Sequence, residues 1–150
     1  MAWVVESEGT GYREQFGWDG SFEALVAKIV AEFVAGFDAS REGCWIAEVN
    51  GERVGHVFLV KHPADAETAK LRLLFVDSSA RGMGVGDALV QECLRFARGA
   101  GYRKVVLWTQ SMLTAAHKIY ARAGFMLVKE EAHRSFGHDL VGQEWELDLK

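Results

Sequence analysis

Leu73 to Leu89 reads LLFVDSSARGMGVGDAL. Leu73-Leu74-Phe75-Val76 is apolar, as a strand buried on both faces would be, and Asp77-Ser78-Ser79 breaks it. From Val85 onward apolar residues return at positions 85, 89, 93 and 96, the spacing of one helical face. Between break and helix stand three alternate glycines, Gly82, Gly84 and Gly86. A helix start leaves its first N–H groups without intrahelical acceptors and carries partial positive charge, so an anion can settle there. Glycine has no Cβ to block that approach, and its tolerance of positive φ lets successive amides turn toward one centre. Arg81 adds a fixed cation. The stretch reads as a strand-to-helix turn built as a socket for a diphosphate.

Spacing separates three anion-binding motifs that use such glycines. The dinucleotide fingerprint GxGxxG needs a third glycine where Asp87 stands. The phosphate loop of NTPases needs a lysine and then Ser or Thr after its second glycine, and Gly86-Asp87-Ala88 supplies neither. The pattern RxxGxG remains, met by Arg81, Gly82, Met83, Gly84, Val85 and Gly86. It resembles the acyl-CoA signature of the GNAT family of N-acetyltransferases. The resemblance continues through an apolar run, Lys104 to Trp108, and a helix ending in Ile119-Tyr120-Ala121-Arg122-Ala123-Gly124-Phe125, which is similar to the family's Tyr and Gly-Phe element. It covers Trp45 to Leu149. The stretch from Phe75 to Leu149 also resembles the acetyltransferase domain carried behind MarR-type winged-helix domains in bacterial fusions, although these 150 residues contain no winged helix.

Composition bounds the class. At 150 residues and 49% apolar content the chain can bury one substantial core. A single N-acetyltransferase domain over 1-150 is expected, with 1-43 as an acceptor-side segment and 44-150 as the acyl-CoA-binding core. A net charge of −4 disfavours nucleic acid as a partner. Cys44 and Cys93 are far apart in sequence, and Cys93 falls on an apolar helical face, so reduced thiols in a cytoplasmic protein are expected. Met1 to Ser7 lacks the form of a secretory signal and no apolar run is long enough to span a bilayer, so no membrane role is expected.

Along the chain, Trp3-Val4-Val5 reads as a short strand and Gly9 to Phe16 as a weak helix. Phe22, Leu25, Val26, Ile29, Val30, Phe33 and Val34 recur on one helical face, with Ser21 as the expected cap and Gly36 as the stop. Trp45 to Val49 and Arg53 to Lys61 read as antiparallel strands joined at Asn50-Gly51. Lys70 to Val76, the helix Val85 to Arg98 and Lys104 to Trp108 form a strand, helix, strand crossover, which implies parallel pairing. Ser111 is the expected cap of a helix reaching Ala123, Phe125 opens another strand, and Gln143 to Leu149 alternates as a last one. The expected fold is α/β: a mixed, mostly antiparallel GNAT-like sheet with a central, splayed parallel strand pair flanked by helices.

The resemblance implies roles. The backbone of Leu74, Phe75 and Val76 would bond the pantetheine arm, with a main-chain N–H near Val76 as oxyanion donor. Residues Arg81, Gly82, Met83, Gly84, Val85, Gly86 and Asp87 would hold the diphosphate of acetyl-CoA. Tyr120, which alone would read as a core tyrosine one turn after Ala116, matches the general acid; a phenol of pKa about 10 can protonate a leaving thiolate of pKa about 8.5. Many relatives carry a glutamate on the first core strand as general base, but this chain has Lys70 and Arg72 there. Glu14, Asp19, Glu23 or a water chain stand as substitutes. Leu113, seven residues before Tyr120, replaces an asparagine that bonds pantetheine in relatives, with Gln110 or Ser111 as stand-ins.

Phe16 and Trp18 can wall an acceptor pocket, and His138-Asp139 can line it. His133 and His138 have metal-ligand spacing but no third ligand, so no metal is expected. The implied activity is acetyl transfer from acetyl-CoA to a primary amine of a small molecule or protein by direct attack in a ternary complex. A homodimer is compatible with it. The alternative is an acyl-CoA-binding sensor with little turnover.

Overall fold

The computed structural model describes residues 1–149. Two helices open the chain, α1 (Ala2–Phe16) and α2 (Gly20–Ala35), followed by strands β1 (Gly43–Val49), β2 (Glu52–Lys61) and β3 (Thr68–Val76). A 3-10 turn (Ser78–Ala80) leads into α3 (Val85–Gly99), then β4 (Lys104–Gln110), α4 (Thr114–Ala123), β5 (Met126–Ser135) and β6 (His138–Asp148). The six strands form one sheet in the order β1-β2-β3-β4-β6-β5. Only β3 with β4 is parallel among the registered pairs; β1-β2, β2-β3 and β4-β6 are antiparallel. The expected mixed α/β sheet with a parallel crossover at its centre is what the chain forms.

The chain groups into two compact units. One holds Met1–Phe37 and Ala132–Leu140; the other holds Asp38–Glu131 and the chain from Val141 onward. In the larger unit α3 covers β2, β3 and β4 through Leu89, Val90, Cys93, Leu94 and Ala97, which meet Val57, Leu59, Ala69, Leu71, Val105 and Leu107. That stripe follows the helical period and explains why Cys93 is fully buried and free. The β1-β2 turn takes φ 53 at Asn50 and φ 81 at Gly51, the paired left-handed geometry of a two-residue hairpin.

In the smaller unit α1 and α2 pack on each other, and Tyr12, Phe16, Trp18, Phe22 and Phe136 form one aromatic cluster with ring centroids 5.0 to 5.8 Å apart. Three local expectations fail here and at α4. The segment expected as a strand at Trp3-Val4-Val5 is the first turn of α1. Its buried positions are Val4, Glu8 and Gly9, so a carboxyl and a glycine occupy places where an apolar period would have shown. The cap of α2 is Asp19, which accepts from the Ser21 N–H at 2.9 Å, so Ser21 is the capped residue instead. At α4 the cap position is Leu113, without any side-chain bond, because the helix begins only at Thr114; the Ser111 N–H donates instead to the Val141 carbonyl at 2.8 Å.

Among the described residues no helix is long and apolar enough to cross a membrane.

Two glycines give opposite expectations for stability. A Cβ on Gly55 would stand 2.7 Å from the Phe75 carbonyl oxygen, a backbone atom that cannot turn aside. Gly99 lies in α3 with nothing within 4 Å of such a Cβ. Gly55→Ala should cost about 1–3 kcal/mol, whereas Gly99→Ala should stabilise by about 0.5–1 kcal/mol, both read from urea unfolding midpoints.

Candidate functional site

The parallel ladder is shorter than its strands. It runs from Thr68↔Lys104 to Leu71↔Leu107 and stops, although β3 continues to Val76 and β4 to Gln110. The cause is local. Leu73 adopts φ 54, and the β2-β3 register shifts between His56 and Phe58. Beyond this bulge β3 stays paired to β2, through His56↔Phe75 and Gly55↔Val76, while β4 departs. The Asp77 N–H donates to the Val54 carbonyl at 2.7 Å. Successive N–H groups of a strand point to opposite flanks, so that of Val76 faces the side that β4 has left.

Directly after β3, the Asp77 carboxylate accepts from the Ser79 N–H at 3.1 Å and ties down the 3-10 turn. The Ser79 hydroxyl, which also donates to this carboxylate, and the Ser79 N–H together hold the Asp77 carboxyl below its ordinary range. Gly82 and Gly84 then take φ 81 and 76, and a Cβ on either would meet nothing within 4 Å. Gly84 caps α3 without a side chain, and the first helical bond runs from the Ala88 N–H to the Gly84 carbonyl at 3.0 Å. The N–H groups of Val85, Gly86 and Asp87 therefore lack intrahelical acceptors, and they follow directly on exposed Arg81, Gly82, Met83 and Gly84.

Two of the expected anion-binding residues differ from that simple picture. Gly86 is buried, and a Cβ there would stand 2.5 Å from Ile119 Cδ1, so its lack of a side chain lets α3 approach α4. The Asp87 carboxylate forms a bidentate pair with Arg122 of α4, at 2.9 and 3.0 Å, so only its main-chain N–H is left for the expected anion contact.

Tyr120 lies on α4 with 5% exposure, edge-on to Phe125 at 5.9 Å and near Trp145 at 6.3 Å. Gly124 closes the helix at φ 101, and the Phe125 N–H donates to the Tyr120 carbonyl at 3.0 Å, so the Tyr and Gly-Phe spacing is a helix-ending motif. Gln110 is buried, and its carbonyl accepts from the His117 ring at 2.9 Å, with Nε2 carrying the proton.

The proposed substitute carboxylates serve their own unit. Asp19 is held below its ordinary range by Ser21, Glu23 pairs with Arg13, and Glu14 is exposed. Trp18 is buried within the aromatic cluster, His138 bonds the Gly17 carbonyl at 3.1 Å, and Asp139 pairs with Arg134 at 3.2 Å. The His133 ring meets Ser135 Oγ at 2.9 Å, and among the described residues no three His, Cys, Asp or Glu side chains gather as a metal site.

Two titratable groups are conspicuous only in three dimensions. Glu8 is 2% exposed, and burial pushes its carboxyl up to about 8. His56 has no exposed surface and stacks on Phe75 at 5.4 Å; burial pushes its imidazole down to about 4, against a smaller opposing effect of the Leu73 backbone. Neither carries a sequence signal, since each is a lone polar residue in an otherwise ordinary element.

Residues 7–125 match the model of the Acetyltransferase (GNAT) family. The chain is 38% identical over 86 residues to an N-acetylaspartate synthetase of Danio rerio, a segment that is 57% of this chain and 30% of that protein. The chain thus spans under a third of that relative's length. Among solved structures, a ribosomal-protein-alanine N-acetyltransferase from Brucella melitensis superposes with TM-score 0.78 at 18% identity, covering 97% of this chain and 92% of that one. The yncA protein of Salmonella typhimurium, solved with its cofactor acetyl-CoA, superposes with TM-score 0.71 at 19% identity, covering 83% and 74%. At these identities the structural likeness speaks for the fold.

The buried imidazole beside the splay sets an acid limit. Because the folded His56 titrates near 4 against 6.5 for the ordinary group, the unfolded chain binds the extra proton between those values. Stability should therefore fall as pH drops through that window, by about 3 kcal/mol in total. His56→Phe should flatten that slope in urea titrations from pH 7 to 4. Glu8 acts in the opposite sense: its raised carboxyl favours folding below about 4.5 and that contribution is lost as pH rises toward 8.

Proposed function

The chain belongs to the GNAT acetyltransferase family, and from that premise we propose that it transfers the acetyl group of acetyl-CoA to a primary amine by direct attack in a ternary complex. The observation that carries this reading is the parallel ladder ending at Leu71↔Leu107 next to a glycine-lined helix start. A diphosphate fits the open space over Gly82 and Gly84, next to the first amides of α3 and exposed Arg81. The amides of the pantetheine arm replace β4 as partners for the main chain of Leu74, Phe75 and Val76.

Chemistry follows from what these groups offer. The neutral amine attacks the thioester carbon and forms the C–N bond. The Val76 N–H, turned to the vacated flank, stabilises the oxyanion of the tetrahedral adduct. The C–S bond then breaks, Tyr120 gives its hydroxyl proton to the departing sulfur, and the surplus proton of the amine returns through water to the Tyr120 phenolate. Tyr120 is held by packing against Phe125 and Trp145, and its spacing to Gly124-Phe125 is what supports this role. Free Cys44 and Cys93 suit a reducing compartment such as the cytoplasm.

A module that binds acyl-CoA without turnover is the second reading, favoured by Lys70 and Arg72 in place of a strand carboxylate and by Leu113 in place of asparagine. Release of free thiol from acetyl-CoA across an amine panel separates the two. Acceptor-dependent release is the expected result, and release that no amine raises above hydrolysis, with acetyl-CoA still bound in calorimetry, selects the binding module. Tyr120→Phe should lower kcat about 100-fold while the Kd for acetyl-CoA changes by less than about threefold. An unchanged kcat removes Tyr120 from the chemistry.

A further inference from the structure

The last parallel pair of the sheet is Leu71↔Leu107, so Trp108 is the first residue of β4 beyond it. Trp108 lies directly opposite Glu144 of β6, and Leu107 directly opposite Trp145. Leu107 is 2% exposed in the core under α3, and Trp145 packs against that core. Side chains alternate along a strand and direct cross-strand partners share a face, so Trp108 and Glu144 lie together on the face turned away from α3. Lys70 reaches the same face from β3, because its neighbours Ala69 and Leu71 are both core. Lys70 and Glu144 are each half-buried.

The Glu144 carboxylate is felt at the opening. Burial and then the Arg72 charge lower the proton affinity of Lys70, and Glu144 acts across β4 to raise it. Glu146, the next residue of β6 on that face, is turned to Lys104 instead, at 3.7 Å. Gly142 is the neighbour of Glu144 on the other side, and a Cβ there would stand 2.0 Å from Trp108 Cζ2. The indole therefore lies over Gly142 and forms an aromatic wall next to Glu144, with Trp108 48% exposed.

The glycine turn leads into α3, which covers the opposite face. With the donor's diphosphate held at the start of α3, its thioester enters the gap between β3 and β4 from that side, and the acceptor approaches from the face that carries Glu144. An alkylamine of pKa about 10 is almost wholly ammonium at neutral pH, and it must lose a proton before its lone pair can attack. A carboxylate within reach, directly or through one water, can take that proton.

We propose that Glu144 is the general base of the transfer, taking one proton from the acceptor ammonium at the parting of β3 and β4. The proposal deepens the acetyltransferase reading and rests on it. The ammonium and the carboxylate become a neutral amine and a carboxylic acid, the amine attacks the thioester carbon, and the acid returns its proton to water after the amide has left. The second amine proton, surplus once the C–N bond has formed, follows the path to Tyr120 already described. With Lys70 and Arg72 on β3, the base is supplied from β6, on the far side of β4.

Acetyl transfer to ethanolamine, glycine, lysine, spermidine and a lysine-containing peptide first identifies the best acceptor of the unmodified chain. With that amine at pH 7, Glu144→Gln should lower kcat about 100-fold while the Kd for acetyl-CoA stays within about twofold. Raising the pH to 9 increases the neutral fraction of an amine of pKa about 10 by nearly 100-fold, so the deficit of the variant should shrink to about tenfold or less. Glu144→Asp, which keeps a carboxylate, should recover about tenfold of the loss at pH 7, and Glu146→Gln should hold kcat within about threefold. A kcat that Glu144→Gln leaves unchanged, a deficit equally large at both pH values, or an Asp variant that recovers nothing overturns the base and leaves the acetyltransferase reading standing. If no amine of the panel raises thiol release above hydrolysis while acetyl-CoA still binds in calorimetry, the acetyltransferase reading falls and the base falls with it.

Discussion

The left-handed backbone at Leu73 is the constraint on which the rest of the larger unit turns. A leucine in this region costs about 1–2 kcal/mol, so neighbours must over-determine it. They do so from the β2 side. The register shift at His56/Phe58 takes up the extra residue, the His56 ring stacks on Phe75, and Gly55 leaves room for the Phe75 carbonyl. With the end of β3 bound to β2 in this way, β4 cannot follow it, and the sheet opens without losing β3. An opening made by the backbone's own geometry exists before any ligand arrives, so little ordering is left for the ligand to impose.

The glycine turn adds an electrostatic end to this opening, and its three glycines have two distinct physical reasons. Gly82 and Gly84 have positive φ and face empty space, while Gly86 is a packing residue under Ile119. Spacing in the sequence cannot distinguish these cases. Asp87 likewise looks like part of an anion motif, yet its carboxylate belongs to the contact with Arg122.

Much of the fold was legible because it rests on periodicity. The β1-β2 hairpin, the crossover through α3 and the end of α4 at Gly124 all follow from apolar spacing, Asn50-Gly51 and glycine stops. What stayed hidden rests on buried polar groups and on exposure. Glu8 masks the face of α1, so its first turn reads as a strand; His56 sits in β2 without any pattern; Leu73 gives no sign in the sequence that its φ is positive. The donor end of the candidate site was readable as a motif, whereas the charge on the β3 face needed the observation that Leu71 is core and that Glu144 shares the face of Lys70.

The Asp87–Arg122 bridge and the Gly86–Ile119 contact are two fastenings between the same pair of helices, one polar and near the surface, the other apolar and buried. Tyr120 sits between Ile119 and Arg122 along α4, and the proposed socket lies at the first turn of α3. A displacement of the phenol relative to the socket would have to break both fastenings together. On the proposed reading, the separation between the charged end of a donor and the proton that would meet its sulfur becomes a fixed length, and the chain would gauge its donor by the reach of the arm between them.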